Sequence, residues 1–446
     1  MVIPQDATEL ANRQQDHKYL RFLFWIESVV SVVGLLIVTD PRLRGWSGLA
    51  QTVSSGSSAP DPSHNLLFAT YMLVLLFSLI HYKQILRVTR KALPLLVLVG
   101  VAFLSVQWSI QPSATKSAAL WLAGTTLFGI YLGSRFTPRQ QINILCVVVI
   151  CAAVLSIVAV RFFPDIAIGT GSFAGDWQGI YLHKNRLGRV MSLGVMLFAI
   201  RIGRYNARDL LYLAGLLLCA FLLVKSDSSS GLVVALAVIL TRLGLDFLSM
   251  DRALYKSLLI SASITAAGLI LAVLANPSEA AALVGRTGTL TGRTTLWAYL
   301  MTFVQDRFWN GYGFGAFWSK GSATLEVVQR SVYWAPNHAH NGMLEVLLDL
   351  GLIGLILLGM VWAITFIRAV RLALNGNSIE DRWPLMYVVF YTLWIIPEAA
   401  ALGAAQINFV LLVAVFSYLI IRGPERVRYF ADDRIGQYIG LTSVER

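Results

Sequence analysis

Residues 337–341 read Asn-His-Ala-His-Asn, and a long apolar run follows at once. Two histidines spaced two apart point the same way in an extended segment. An imidazole of ordinary pKa, near 6.5, takes a proton from a hydroxyl at neutral pH, so His338 and His340 are candidate general bases. Asn341 or Glu345 would orient the base. The plainer role of the same stretch is capping, with Asn341 as N-cap of the following helix and Glu345 in its first turns. Capping and catalysis are compatible, but capping alone gives no reason for two histidines. A metal at this pair would need a third ligand from far along the chain, such as His183 or Asp176. The expectation is a site without metal.

Three more polar stretches carry chemistry. In GIYLHKNRLGR (179–189), Lys184, Arg186 and Arg189 crowd the start of an apolar run. A helix N-terminus is already partly positive, so cations there work against the dipole unless an anion binds between them. A pyrophosphate suits: arginine offers a bidentate fork and lysine a point charge. The alternative is snorkelling to lipid headgroups. In VGRTGTLTGRTTLW (284–297), Arg286 and Arg293 are seven apart and share a face if helical. Thr291 or Thr294 is placed to cap a short helix. An amphipathic surface helix explains the same arginines. KSDSSSG (225–231) adds Lys225. NGYGFGAFW (310–318) reads as a flexible glycine and aromatic turn.

Composition sets what must position these groups. The 446 residues are 57% hydrophobic and 13% charged, against about 25% charged in soluble domains. That places the chain among membrane proteins, all-α, as one polytopic membrane domain over 1–446. The net charge of +12 lies mostly in short loops, which suits membrane orientation and anionic lipid better than nucleic acid. Cys146, Cys151 and Cys219 sit in apolar runs and are expected as free thiols. The polar N-terminal stretch is too long for a cleaved signal peptide.

About twelve runs reach the length of a membrane-spanning helix. They lie near 20–39, 65–82, 92–110, 115–133, 142–162, 187–203, 209–225, 231–249, 255–275, 343–372, 383–399 and 404–422. Every second loop is basic, which puts both termini inside, the tail 423–446 in the cytoplasm, and a long periplasmic loop at 276–342. All four polar stretches then share the outer face, where the positive-inside rule does not explain cations and an anionic ligand does.

His340-Asn341, nine residues, Gly351, two residues, Gly354 resembles the histidine signature of the bacterial O-antigen ligase and polysaccharide polymerase superfamily. GIYLHKNRLG, LTGRTTLW and NGYGFGAFW precede it in the order seen in exopolysaccharide polymerases and ligases. The resemblance covers about 175–360 by motif and implies a C-type glycosyltransferase-like membrane fold. It implies an enzyme that moves a glycan from undecaprenyl pyrophosphate to a sugar hydroxyl, without nucleotide, metal or other cofactor, at the periplasmic side of the inner membrane. The acceptor would be lipid A-core or a second lipid-linked glycan. His340 takes the base role, with His338 able to share it. Arg186, Arg189 and Arg293 grip the pyrophosphate, with Lys184, Lys225, Arg286 and Asn341 as further binding residues. Related proteins often carry a base after the serines that follow the seventh span. Here Ser228-Ser229-Ser230 is followed by Gly231, and Lys225 is the substitute. The alternative class is a transporter or flippase for lipid-linked glycans, against which stand the lack of an internal repeat and the crowding of polar residues at one face.

Overall fold

The computed structural model describes residues 5–41, 62–203, 207–248, 292–332, 335–376, 378–403 and 406–421. Among these the regular elements are all helical; an isolated antiparallel bridge joins Ile168 and Trp177. The first ten helices are α1 (Gln5–Val38), α2 (Pro62–Ile80), α3 (Tyr82–Thr89), α4 (Leu93–Leu104), α5 (Pro112–Arg135), α6 (Pro138–Phe162), α7 (Pro164–Ala167), α8 (Lys184–Arg201), α9 (Ala207–Lys225) and α10 (Ser229–Leu248). Then come α11 (Arg293–Asp306), α12 (Ala323–Ser331), α13 (Gly342–Asn375), α14 (Trp383–Ile395) and α15 (Ile407–Ile421).

Eleven of the expected apolar runs fall wholly or mostly on described residues, and each is helical over most of its length, the run at 65–82 being broken in two. By length and composition five of the helices suffice to cross a membrane, or six if α2 and α3, bent by 96° at their junction, count as one span. The described part of the chain is thus helical, with spans consistent with a membrane protein. The run at 255–275, Arg286, the first part of the loop and the tail 423–446 lie outside the described residues. The rest of the loop is not irregular: it holds α11 and α12.

Local chemistry sets the helix starts. Thr137 and Gln140 form a reciprocal capping box before α6, with Pro138 in the first turn. Asn341 caps α13, its Oδ1 accepting from the amides of Met343 and Leu344 at 3.0 and 3.1 Å. In lipid, apolar side chains give helices no net reason to associate, so close packing has to do so. Gly129 and Gly133 of α5 let α15 approach. A Cβ at Gly129 would stand 2.6 Å from Val413 Cβ, and one at Gly133 would strike the carbonyl of Ala414.

Helix α13 breaks at Gly351, where φ is 64° and ψ is −162°. Only glycine adopts that conformation readily. The break frees backbone groups that the segment after α11 takes up. Leu352 N–H donates to the Phe308 carbonyl at 2.8 Å, and the amides of Tyr312 and Gly313 donate to the carbonyls of Leu348 and Asp349 at 2.8 and 3.0 Å. A Cβ on Gly351 would run into the backbone of Trp309. NGYGFGAFW is therefore a packed wedge, not a flexible turn, and it fixes the loop to the helix that carries the histidines.

The ends of α1, α9 and α14 and the starts of α8, α10, α11 and α13 meet at one end of the bundle. The side-chain bonds that join them define the site below.

Candidate active site

His183 starts the site as N-cap of α8, its Nδ1 accepting from Asn185 N–H at 3.2 Å. His183, Arg186 and Arg189 recur every third residue and so line one side of the helix start. Arg186 pairs with Asp40, just past the end of α1. Arg189 is 9% exposed, its Nε has no hydrogen-bond partner, and its guanidinium forms no ion pair among the described residues. A buried, unsatisfied cation is costly and calls for an explanation.

Arg293 is the first residue of α11. Its cap is Gly292, with φ 79° and no side-chain cap, rather than a threonine; Thr291 lies outside the described residues. Arg293 donates to the Pro397 carbonyl at 2.9 Å and stands 3.8 Å from Glu398 Oε1. Glu398 also accepts from Asn185 Nδ2 at 2.7 Å, and Asn185 Oδ1 accepts from Ser228 Oγ at 3.3 Å. One carboxylate thereby ties α8, α10, α11 and the segment after α14 together. The sequence reading passed over Glu398. Its one signal was a glutamate after proline at the outer end of an apolar run.

The histidine turn is built from α13. Glu345 Oε2 accepts from Ala339 N–H at 2.9 Å and from Trp318 Nε1 at 3.1 Å, while Trp297 Nε1 donates to the Ala339 carbonyl at 2.8 Å. His340 has a φ of 50°, uncommon for a residue with a Cβ, so the turn is tight rather than extended. The two rings still share a side, with centroids 3.8 Å apart. His338 Nδ1 accepts the backbone N–H of His340 at 3.3 Å.

Electrostatics link the histidines to the cations. Burial, then Arg186, Arg293 and His183, hold the His338 imidazole down to about 4. Burial, then His338, Arg293 and His183, hold His340 down to about 3. Burial, then Lys184, Arg186 and Arg293, push His183 below its ordinary value, against Asp176. These shifts favour the neutral form of all three rings. In this site each has little proton affinity until an anion offsets the arginines.

His338, His340, Asn341, Arg186, Arg189 and Arg293 are thus brought together. Lys184 is captured instead by Asp176 and Asp227, at 2.9 and 3.2 Å. Lys225 lies over the rings of Trp177 and Phe221, and among the described residues nothing joins it to the arginines. Ser228 packs against Gly188, where a Cβ would strike its hydroxyl. The serine run therefore seats α10 on α8. Among the described residues no group of three or more His, Cys, Asp or Glu is placed to hold a metal.

Residues 214–359 match the model of the family described as O-Antigen ligase, a span that includes both histidines, Asn341, Arg293 and the Gly351 break. The chain is also 26% identical over 334 residues to the exopolysaccharide production protein ExoQ of Rhizobium meliloti (strain 1021), covering 73% of this chain and 75% of that one. With the histidine signature seated at a cation-lined mouth of a helix bundle, these matches support a likeness of the chain to the O-antigen ligase and polysaccharide polymerase-like superfamily.

Proposed function

We propose that the chain is a membrane glycosyltransferase that takes a glycan from undecaprenyl pyrophosphate and passes it to a sugar hydroxyl at the periplasmic face of the bacterial inner membrane. The observation that carries this reading is Arg189, a buried guanidinium with no hydrogen bond or ion pair among the described residues, beside Arg186 and sharing the field of Glu398 with Arg293. These three arginines have two carboxylates, Asp40 and Glu398, as their counter-ions. A diphosphate supplies the missing negative charge and accepts bidentate hydrogen bonds from guanidinium groups.

The chemistry follows from the groups present. The acceptor hydroxyl oxygen attacks the anomeric carbon while the bond from that carbon to the pyrophosphate oxygen breaks. The electron pair leaves with undecaprenyl pyrophosphate, whose developing charge the arginines stabilise. Pyrophosphate leaves readily, so the reading needs no metal, nucleotide or general acid. The hydroxyl proton goes to His340. His338 is the weaker base candidate, because its Nδ1 already accepts an amide proton and its neutral ring then carries hydrogen on Nε2. Direct displacement inverts the anomeric carbon.

The relative is an exopolysaccharide production protein, which favours a second lipid-linked glycan over lipid A-core as the acceptor. The test is a reconstituted assay with chelator present. Purified protein in lipid receives undecaprenyl pyrophosphate glycan with and without lipid A-core. A ladder from donor alone supports polymerisation, and a single shifted band that needs lipid A-core supports ligation. No product with either acceptor would refute the reading.

A further inference from the structure

The backbone fixes the proton position of two histidines, and one of them has no role in the scheme above. His183 Nδ1 accepts the amide proton of Asn185 at 3.2 Å, as His338 Nδ1 accepts that of His340. A ring nitrogen that accepts must carry the lone pair, so the neutral ring holds its hydrogen on Nε2. No group among the described residues accepts from His183 Nε2. The ring is flanked by Phe173, edge-on at a centroid distance of 5.1 Å, and its electrostatic neighbours are Lys184, Arg186, Arg293 and Asp176. Three and six residues further along lie Arg186 and the buried Arg189, which has no ion pair among the described residues. A histidine at a cap position would usually be no more than a cap. Here it is the first of three donors on one side of the helix start, and the last of them is an orphaned cation nine-tenths buried.

We propose that His183 is a further binding residue, a neutral Nε2–H donor to the diphosphate of the donor lipid, completing a row with Arg186 and Arg189; this rests on the function proposed above. A neutral donor suits the position. An imidazolium would add a charge to a site that already crowds three guanidinium groups, whereas an N–H of fixed tautomer contributes a hydrogen bond without repulsion.

The test separates capping from binding with two variants. Asn is among the best N-caps, so His183→Asn keeps an acceptor for the Asn185 amide and removes the Nε2 donor. His183→Gln places an amide N–H close to the Nε2 position and gives up the cap. Binding of undecaprenyl pyrophosphate to purified protein in nanodiscs is measured, alongside thermal unfolding. The expected result is about tenfold weaker binding by His183→Asn at unchanged unfolding temperature, since a hydrogen bond to a charged group contributes on that order. His183→Gln should bind within about threefold of the parent. Unchanged binding by His183→Asn, or binding by His183→Gln weaker than by His183→Asn, overturns the inference and leaves His183 a cap. Arg189→Met, run beside them, isolates the failure. If it too binds like the parent, the diphosphate site itself is wrong, not only the part given to His183.

Discussion

At the end of the bundle away from the histidines, Glu27 is fully buried, and it accepts from His81 Nε2 at 2.5 Å and from Arg135 Nε at 2.7 Å. Arg201 reaches Glu380 at 2.9 Å and the Tyr212 hydroxyl at 2.7 Å. Arg242 and Arg382 share Asp246. At the histidine end Arg189 is almost as deeply buried with no ion pair among the described residues, and Arg293 stands a loose 3.8 Å from Glu398. Buried arginines are ion-paired at one end, whereas at the other Arg189 has no ion pair among the described residues. Buried ion pairs that meet their partners hold helices in register, and their removal is costly because it orphans a charge. A buried cation kept without a partner has already incurred that cost, and a ligand is what offsets it.

The largest expected effect separates chemistry from charge at the histidine end. His340→Ala should lower single-turnover transfer by about 10²–10⁴-fold, the range for losing a general base, while undecaprenyl pyrophosphate binding stays at the parent level. Normal turnover would remove His340 from the mechanism.

Two arginine variants then address the contrast itself. Arg189→Met should weaken donor binding by about 10- to 100-fold and leave thermal stability unchanged or raised, because an unpaired buried charge goes with it. Arg201→Met should do the reverse. It leaves the 5%-exposed Glu380 without its closest cation, costing about 3 kcal/mol of stability, with donor affinity unaltered. Matching behaviour of the two, by binding and by unfolding, would break the distinction between the ends.

Gly351→Ala tests whether the break in α13 holds the wedge. The φ of 64° and the facing backbone of Trp309 leave no room for a side chain, and forcing one costs about 1–3 kcal/mol. Limited proteolysis should cut faster in 306–322, with transfer reduced more than donor binding. Equal protection would detach the wedge from the site.

The smallest effect is on pH dependence. Folding lowers both imidazoles beneath the ordinary 6.5, to about 4 and about 3, so the unfolded chain binds more protons at acid pH. Stability tied to these rings is full above about pH 6.5 and is lost as pH falls through the two lowered values. For the same reason kcat/KM should show no acid limb from either ring between pH 8 and pH 5. A limb near 6.5 in the pH profile would mean the arginines do not reach the histidines.

Much of this was legible in the chain itself. The apolar runs that fall on described residues are helical because lipid demands that every backbone group be paired within its own segment. The Asn341 cap followed from a local rule, and the arginines and histidines stood out as polar islands at the mouths of those runs. Three features were not legible because they depend on distant partners. Glu398 meets Asn185 from 213 residues away. Lys184 looked like a phosphate ligand until Asp227 took it from across α9. The role of Gly351 needed the wedge at Trp309–Gly313, whose far edge lies 42 residues upstream.

The most direct test of the central claim is a structure determined in lipid with undecaprenyl pyrophosphate bound. The account predicts the diphosphate within hydrogen-bond distance of Arg189 and Arg293, on the side of the helix start that carries His183 and Arg186, with His340 facing the carbon to be attacked. A diphosphate seated beside Lys225, or at the Arg201 end of the bundle, would contradict it.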